Sequence, residues 1–549
     1  MIPCILFEDE HLVVIKKPAG INTHRPSPYT TDGIYDWLKN QNPRYYNLST
    51  LHRLDKETSG ILIFGKTPEA NRSLTNQFAK RKIQKSYYFL TDRPINFSQR
   101  IIRSDILRQG NRYITTPLSS QLNALSQKHS NTYAETHFKV LEQKNEYSLI
   151  EAIPVTGRTH QIRIHASWGK FPILGDQLYQ GTPIGGYLCL HAVKLLLYHP
   201  ITHEKLLFES PSPFNLQSIP GLISSATTLR TSLLSENQTN AYRLFHSQSD
   251  GFENIYIDKF NKHLLISGLS QKLSPEIKKL ALTAGKQLKS NTVWYRPLLK
   301  TPGKESNETA SPTLIWSKEP NLTPEVEIKE NGIKYKISFQ SGYSVGIFLD
   351  QRENRQRILS RRIAPNFSLP YISNRTPEML NAFAYTCAFS ICAAKAGYHT
   401  TSLDLSKKYL SWGAENMALN NIEPQEHDFI YGDVFNWRKR FLNKGKKFDL
   451  IILDPPTFSR SRESGTFKAE QDIGKLAASW IPLLNSQGVM LISTNCAKLP
   501  PKDFEEILLS EIKQSGRKLL KSHYYTQPFD FAASSQCKPY LKTYWIQLN

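Results

Sequence analysis

From about residue 375 to its end the chain keeps one rhythm, a short apolar run followed by a helix-length amphipathic one. Runs at 379–385, 401–405, 428–431, 449–453 and 489–493 read as strands, and those at 388–396, 408–420, 437–442, 469–484 and 503–515 as helices. Two further β-like runs, 519–525 and 540–547, close the sequence. Such alternation predicts a doubly wound, mostly parallel α/β sheet of Rossmann-like type, with ligands bound at the carboxyl ends of its strands. The rhythm is absent upstream, and 549 residues exceed what one core organises, so two to four domains are expected.

Residues 1–215 carry short β-like runs at 12–15, 60–66, 86–90 and 147–155 separated by turn residues, an α+β pattern with a mixed, largely antiparallel sheet. Between 213 and 236 the chain is Ser/Thr-rich and loses periodicity, which places a linker at 216–236. A small α+β accessory domain, taken as RNA-binding, is expected at 237–340. It has strand-like runs at 255–257 and 263–267, a helix-like run at 275–288, an exposed loop over 300–325 and a hairpin at 326–339. The α/β domain then occupies 341–549.

Charge narrows the partner. The chain has 69 Lys+Arg against 47 Asp+Glu, a formal +22, which favours a polyanion through counterion release. A basic membrane-surface protein is the alternative, but neither a long apolar span nor an amphipathic basic anchor is present to support it. The start, Met1-Ile2-Pro3-Cys4, lacks the pattern of a secretory leader, and six cysteines without a CxxC pair read as reduced thiols; a cytoplasmic protein is expected. No ligand cluster supports a metal site.

Two motifs in the first half carry chemistry. His52-Arg53-Leu54-Asp55-Lys56-Glu57-Thr58-Ser59-Gly60 sets one carboxylate between an arginine and a tight turn, just ahead of an apolar run. Thr156-Gly157-Arg158-Thr159-His160-Gln161-Ile162-Arg163-Ile164-His165 offers guanidinium groups that could keep that carboxylate charged and fix its direction. Together they resemble the active-site motifs of the RluA-type pseudouridine synthases, over roughly residues 1–212. Lys17-Pro18-Ala19-Gly20, Lys85-Ser86-Tyr87, Leu190-His191-Ala192 and His199-Pro200 resemble the family's remaining elements in the expected order. The resemblance implies a curved mixed sheet and a cofactor-free isomerisation of a flipped uridine. Asp55 would be the catalytic aspartate, Arg163 its partner, and Tyr87 a stacking group with a role in proton transfer. Arg53, Arg158 and His160 would contact RNA, and Lys17 would lie in a structural, RNA-contacting turn. Tyr87 as plain core is the competing reading.

A methyl donor bound at the α/β sheet needs a close turn after the first strand and an acid after the second. The turn reads Asn381-Ala382-Phe383-Ala384-Tyr385-Thr386-Cys387-Ala388, without glycine, while Asp404, Asp433 and Asp454 follow the second, third and fourth strands. The segments SVGIFLDQRENR (344–355), NAFAYTCAFS (381–390), DPPTFSRSR (454–462) and YLKT (540–543) resemble RlmI/RlmK-type class I rRNA methyltransferases, over about 237–549. By that likeness the cofactor is S-adenosylmethionine. Asp404 binds its ribose, Asp433 lies by the adenine, Phe383 and Gln351 line the pocket, and Asp454 binds near the methyl-transfer point as a catalytic residue. Asn381 replaces the family's usual acid and Ala388 its small glycine.

Methylation of cytosine C5 requires a thiolate, for which Cys496 is the best-placed candidate; it reads equally as a buried small hydrophobe. The DPPTFS wording leans towards guanine N7, where no nucleophile is needed. The leading expectation is thus a bifunctional enzyme acting on RNA, most naturally large-subunit rRNA, with tRNA open for the first half. An active synthase whose second half only binds RNA is the alternative. A nicotinamide enzyme is disfavoured by the missing GxGxxG.

Overall fold

The computed structural model describes residues 2–549 apart from 111, 119–130, 145, 271–272, 299–310, 320–322, 343, 462–464 and 535. The chain divides into two compact units, 1–25 with 32–235, and 26–31 with 236–549.

The first unit is built on one mixed sheet. Its strands run in the order Ile5–Glu8, Leu12–Lys17, Ser59–Gly65, Leu190–Tyr198, Gln84–Thr91, Ser148–Pro154, Tyr133–Gln143, Gln99–Gln109, Arg112–Thr116. Ser59–Gly65 and Leu190–Tyr198 pair in parallel; their outer neighbours pair antiparallel. Ser59–Gly65 is buried along its whole length, as a strand covered on both faces must be. Alternate positions on three adjacent strands (Leu12, Val14, Ile61, Ile63, Leu195, Leu197) form one apolar face closed by Leu74 of helix Pro68–Ala79. Gly60 marks the parallel step: its φ is +118°, and a Cβ there would lie 2.4 Å from the Ala192 carbonyl oxygen.

Two parts of this unit differ from expectation. The strands between 99 and 143 carry charged and polar residues on an exposed face, so their apolar signal is thin. The stretch expected to be a linker holds helix Leu222–Thr231, whose buried Ile223, Ala226 and Leu229 recur every third residue among Ser and Thr.

The second unit contains the anticipated α/β sheet. Its order is Asp428–Tyr431, His399–Asp404, Glu378–Ala382, Phe448–Leu453, Leu484–Thr494, Lys542–Leu548, Leu519–Tyr525. The first five strands are parallel and Lys542–Leu548 runs against its neighbours. Glu378–Ala382 lies between the second and fourth strands of the series, so the crevice of the topological switch opens at its carboxyl end.

Ahead of it stands a five-stranded sheet, Ala241–His246, Ile255–Phe260, His263–Gly268, Thr292–Pro297 and Thr313–Ser317, followed by the hairpin Glu325–Glu330 and Ile333–Ser338. Thr313–Ser317 falls inside the stretch expected to be a loop, whose residues 300–310 and 320–322 lie outside the described ones. Nor does 237–340 stand apart as a domain. One apolar cluster runs from Ala241, Phe260 and Trp294 through Ile328 and Tyr335 to Met379, Leu450 and Val489. Among the described residues no helix is long and apolar enough to cross a membrane.

Candidate active sites

Asp55 sits in the loop just before strand Ser59–Gly65, and that loop is pinned from beneath. Thr23 Oγ1 donates to the Leu54 carbonyl at 2.8 Å and accepts the Leu54 N–H at 3.1 Å. The Lys56 carbonyl accepts from the Gly20 N–H at 2.8 Å and from Lys17 Nζ at 3.1 Å. Lys17 also donates to the carbonyls of Pro18 (3.0 Å) and Ile21 (2.8 Å). It is fully buried, so it serves the turn and does not reach an RNA surface. Burial lowers its pKa to about 7.

Arg163, on helix Gln161–Trp168, meets Asp55 as expected, Nη1 to Oδ2 at 3.4 Å. Its tighter partner was not foreseen. Nε and Nη2 donate to both oxygens of Asp176 at 2.7 and 2.8 Å. Asp176 is 1% exposed at its side chain against 25% for Asp55, so the guanidinium is clamped from the buried side and presents its remaining edge to the open carboxylate. Burial works against the charge of Arg163, but the Asp176 bonds outweigh it and raise the pKa above the ordinary value. A lone aspartate in a turn carries no sequence signal; only the fold brings Asp176 here.

His160 takes a left-handed φ of 56° as the residue capping that helix. Its Nε2 lies 3.8 Å from Asp55, and its Nδ1 pairs with Tyr179 Oη at 2.8 Å. Desolvation lowers its pKa, with the Asp55 charge opposing. Tyr87 is buried, and burial together with the nearby Asp55 charge pushes its phenol well above the usual value, so it stays protonated. Arg53 is exposed, while Arg158 is half-buried with Nε on the Tyr133 carbonyl at 3.1 Å. The result is a partly open carboxylate backed by a fixed cation and flanked by an imidazole and a protonated phenol.

In the second unit the loop after the first strand does without glycine by strain. Phe383, Tyr385 and Cys387 have φ of 65°, 49° and 60°, at a cost of about 1 kcal/mol or more apiece. The loop is held by Thr386 Oγ1 on the Gly346 carbonyl at 2.6 Å and Tyr385 Oη on the Ser344 carbonyl at 3.3 Å. Gly413 leaves the room for Cys387: a Cβ there would stand 2.4 Å from its Sγ.

Asp404 ends the second strand, its oxygens accepting the Tyr385 N–H at 2.8 Å and the Ser406 N–H at 2.9 Å. Asp433 caps helix Val434–Asn443, Oδ1 accepting the N–H groups of Phe435 and Asn436 at 3.0 and 3.1 Å. Asp454 accepts from Ser493 Oγ at 2.7 Å and Gln351 Nε2 at 3.1 Å. Gln351 is itself fixed by Asn354 Nδ2 at 2.6 Å, and Asn354 Oδ1 accepts from Trp545 Nε1 at 3.1 Å. Burial lifts the Asp454 carboxyl to about 6. Gln351 is thus a buried bracket for Asp454. Asn381 donates to Ser390 Oγ at 3.0 Å, which an ionised acid could not do. Cys496 is 5% exposed and directs its Sγ to Glu470 at 3.6 Å. These residues fit S-adenosylmethionine: beside its backbone bonds Asp404 keeps acceptor capacity for a ribose hydroxyl at the crevice mouth.

A largely parallel sheet with acids at successive strand ends, whose switch-point crevice is a ligand-binding place, is joined here to a sheet that holds a clamped aspartate. Comparison with known proteins sharpens both. The S-adenosylmethionine-dependent methyltransferase family matches residues 243–535, and the RNA pseudouridylate synthase family matches residues 11–168. The chain belongs to the S-adenosylmethionine-dependent methyltransferases and carries an RNA pseudouridylate synthase domain ahead of that part. It is 30% identical over 314 residues to ribosomal RNA large subunit methyltransferase I of Escherichia coli strain SMS-3-5, covering 56% of this chain and 74% of that one. To the protein of the same name from Serratia proteamaculans it is 30% identical over 322 residues, covering 58% and 76%. A structure of human RNA pseudouridylate synthase domain containing 4 matches with 26% identity and a TM-score of 0.31, over 38% of this chain and 88% of that one.

Proposed function

We propose that this chain modifies RNA twice: it isomerises a uridine to pseudouridine in its first half and methylates a guanine at N7 in its second, on large-subunit rRNA. The Asp176–Arg163–Asp55 arrangement carries the first activity. It turns one edge of the guanidinium to the partly open Asp55 carboxylate while the far edge is locked by Asp176. Asp55 acts on the sugar and base of a flipped uridine, Tyr87 stacks on the base, and no cofactor is required.

In the second half S-adenosylmethionine supplies a methyl group activated on a sulfonium. Asp404 would hold the ribose, Asp433 would border the adenine, Phe383 would line the pocket, and Asp454, aimed by Gln351 and Ser493, would border the transfer point. Guanine N7 is already a nucleophile, whereas cytosine C5 needs a thiolate. Cys496 is buried against Glu470, which supports N7 over C5. Large-subunit rRNA as substrate is supported by the names of the relatives above.

Mass-spectrometric mapping of rRNA from a deletion strain tests the whole reading. Complementation by the wild type is expected to restore one pseudouridine and one 7-methylguanine. Restoration of 5-methylcytosine instead, or covalent capture of 5-fluorocytidine RNA on Cys496, would replace N7 with C5.

A further inference from the structure

The second unit has a small cleft of about 130 Å³ between its five-stranded sheet and the segment before helix Arg352–Leu359. Arg243, Asp258 and Arg296 line it from the sheet side, and Phe348, Asp350 and Tyr540 from the other. None of Asp404, Asp433 and Asp454 lines it. Pockets for whole drug-sized ligands start at about 300 Å³, so this one suits a single ring system and not the methyl donor.

The cleft nevertheless begins where the donor site ends. Asp350 precedes Gln351, the residue that brackets Asp454, and the Asp350 charge acts on Asp454. The Phe348 ring lies 5.2 Å from that of Tyr385, whose N–H binds Asp404. Phe348 is also 49% exposed, an aromatic face left open at the rim.

The lining groups differ in how committed they are. Arg243 is spoken for by both Asp258 oxygens, at 2.5 and 3.2 Å, and by His246 Nδ1 at 2.8 Å. Asp350 accepts from Tyr540 Oη at 2.9 Å. A carboxylate has about four acceptor sites, so Asp350 can still take two neighbouring N–H donors. Of the four RNA bases, guanine offers such a pair on its Watson–Crick edge, N1–H beside N2–H, whereas cytosine offers a single amino group.

We propose that this cleft receives the acceptor guanine of the methyl transfer, with Asp350 accepting its N1–H and N2–H and Phe348 stacking on its face. This rests on the methyltransferase reading above and makes the five-stranded sheet part of the acceptor site instead of a detached RNA-binding module.

The test is a titration of the full chain, saturated with S-adenosylhomocysteine, with GMP, CMP, AMP and UMP, followed by ligand-observed NMR. GMP is expected to bind about tenfold more tightly than CMP. Asp350→Asn should erase that preference, and Phe348→Ser, at a half-exposed site where folding is not at stake, should weaken every nucleotide. Both variants should keep wild-type affinity for S-adenosylhomocysteine. Equal binding of GMP and CMP, GMP binding indifferent to both substitutions, or loss of S-adenosylhomocysteine affinity in step with GMP would each overturn the proposal. Labelled methyl incorporation into RNA from a deletion strain is scored separately: its absence in the wild type sinks the methyltransferase reading, while the nucleotide titration judges the cleft.

Discussion

At position 163 one guanidinium serves two carboxylates unequally, and the inequality has consequences. Asp55→Asn removes the open carboxylate and should abolish pseudouridine formation while leaving folding intact, read by rRNA mapping alongside circular dichroism. Asp176→Asn should do something different. It strips the buried clamp, leaves Arg163 poorly compensated, and should cost about 3 kcal/mol of stability in chemical denaturation, with a loss of turnover following from the misdirected cation. Sequence carried only half of this. The motif around Arg163 pointed to Asp55, because both lie in recognisable strings, whereas Asp176 has none. Asp454 supplies a pH signature. Its carboxyl, ordinarily near 3.8, is raised to about 6 by burial. The folded state therefore holds this proton more tightly than the unfolded chain, and stability contributed by the site falls as pH rises from about 4 to about 6. Activity should move the other way. If the ionised carboxylate is the working form, methyl transfer at saturating substrate rises through an apparent pKa near 6, and a flat profile between pH 5 and 8 would remove Asp454 from the reaction.

Elements were legible where packing agreed with local pattern. The α/β strands and helices fall where apolar periodicity placed them, because central strands such as Phe448–Leu453 are buried on both faces and the helices on one, while the edge strand Asp428–Tyr431 is left half-exposed. Helix Leu222–Thr231 was missed because a three-residue stripe of Ile223, Ala226 and Leu229 is diluted by Ser and Thr, and only its neighbours give it a reason to fold. The first-strand loop has no glycine, and its left-handed residues are tolerated because Gly413, far away in sequence, vacates the space that Cys387 fills. Gly413→Ala should therefore act on the loop and not only on its own helix. Overpacking of this kind costs about 1–3 kcal/mol. Thermal unfolding should show that loss, and calorimetry should show weaker binding of S-adenosylmethionine. Unchanged affinity would mean that the loop conformation is not what forms the donor site.

For the whole molecule, the question is what two chemistries gain from one chain. They share no reactant other than RNA. One uses a donor bound at a sheet crevice, and in the reading proposed above the other works through Asp55 and its clamp. What they hold in common is charge, a formal +22 spread over 549 residues. Substitutions at the sites and changes of salt should therefore separate cleanly. Asp55→Asn should leave methylation within about twofold of wild type, and Asp404→Ala should leave pseudouridine formation equally untouched, because independent sites without shared partners add. Raising salt from about 50 to 200 mM should weaken both activities together through KM for RNA, by at least about tenfold, since phosphate neutralisation dominates affinity. Affinity for S-adenosylmethionine should barely change over the same range. Kinetics of both modifications on one rRNA preparation, across a salt series and the two variants, would check this. If Asp55→Asn also suppressed methylation, the two reactions would be ordered, with pseudouridine or the occupied synthase pocket setting the RNA for the second step. The purpose of the fusion would then be sequence in time, beyond shared affinity for a polyanion.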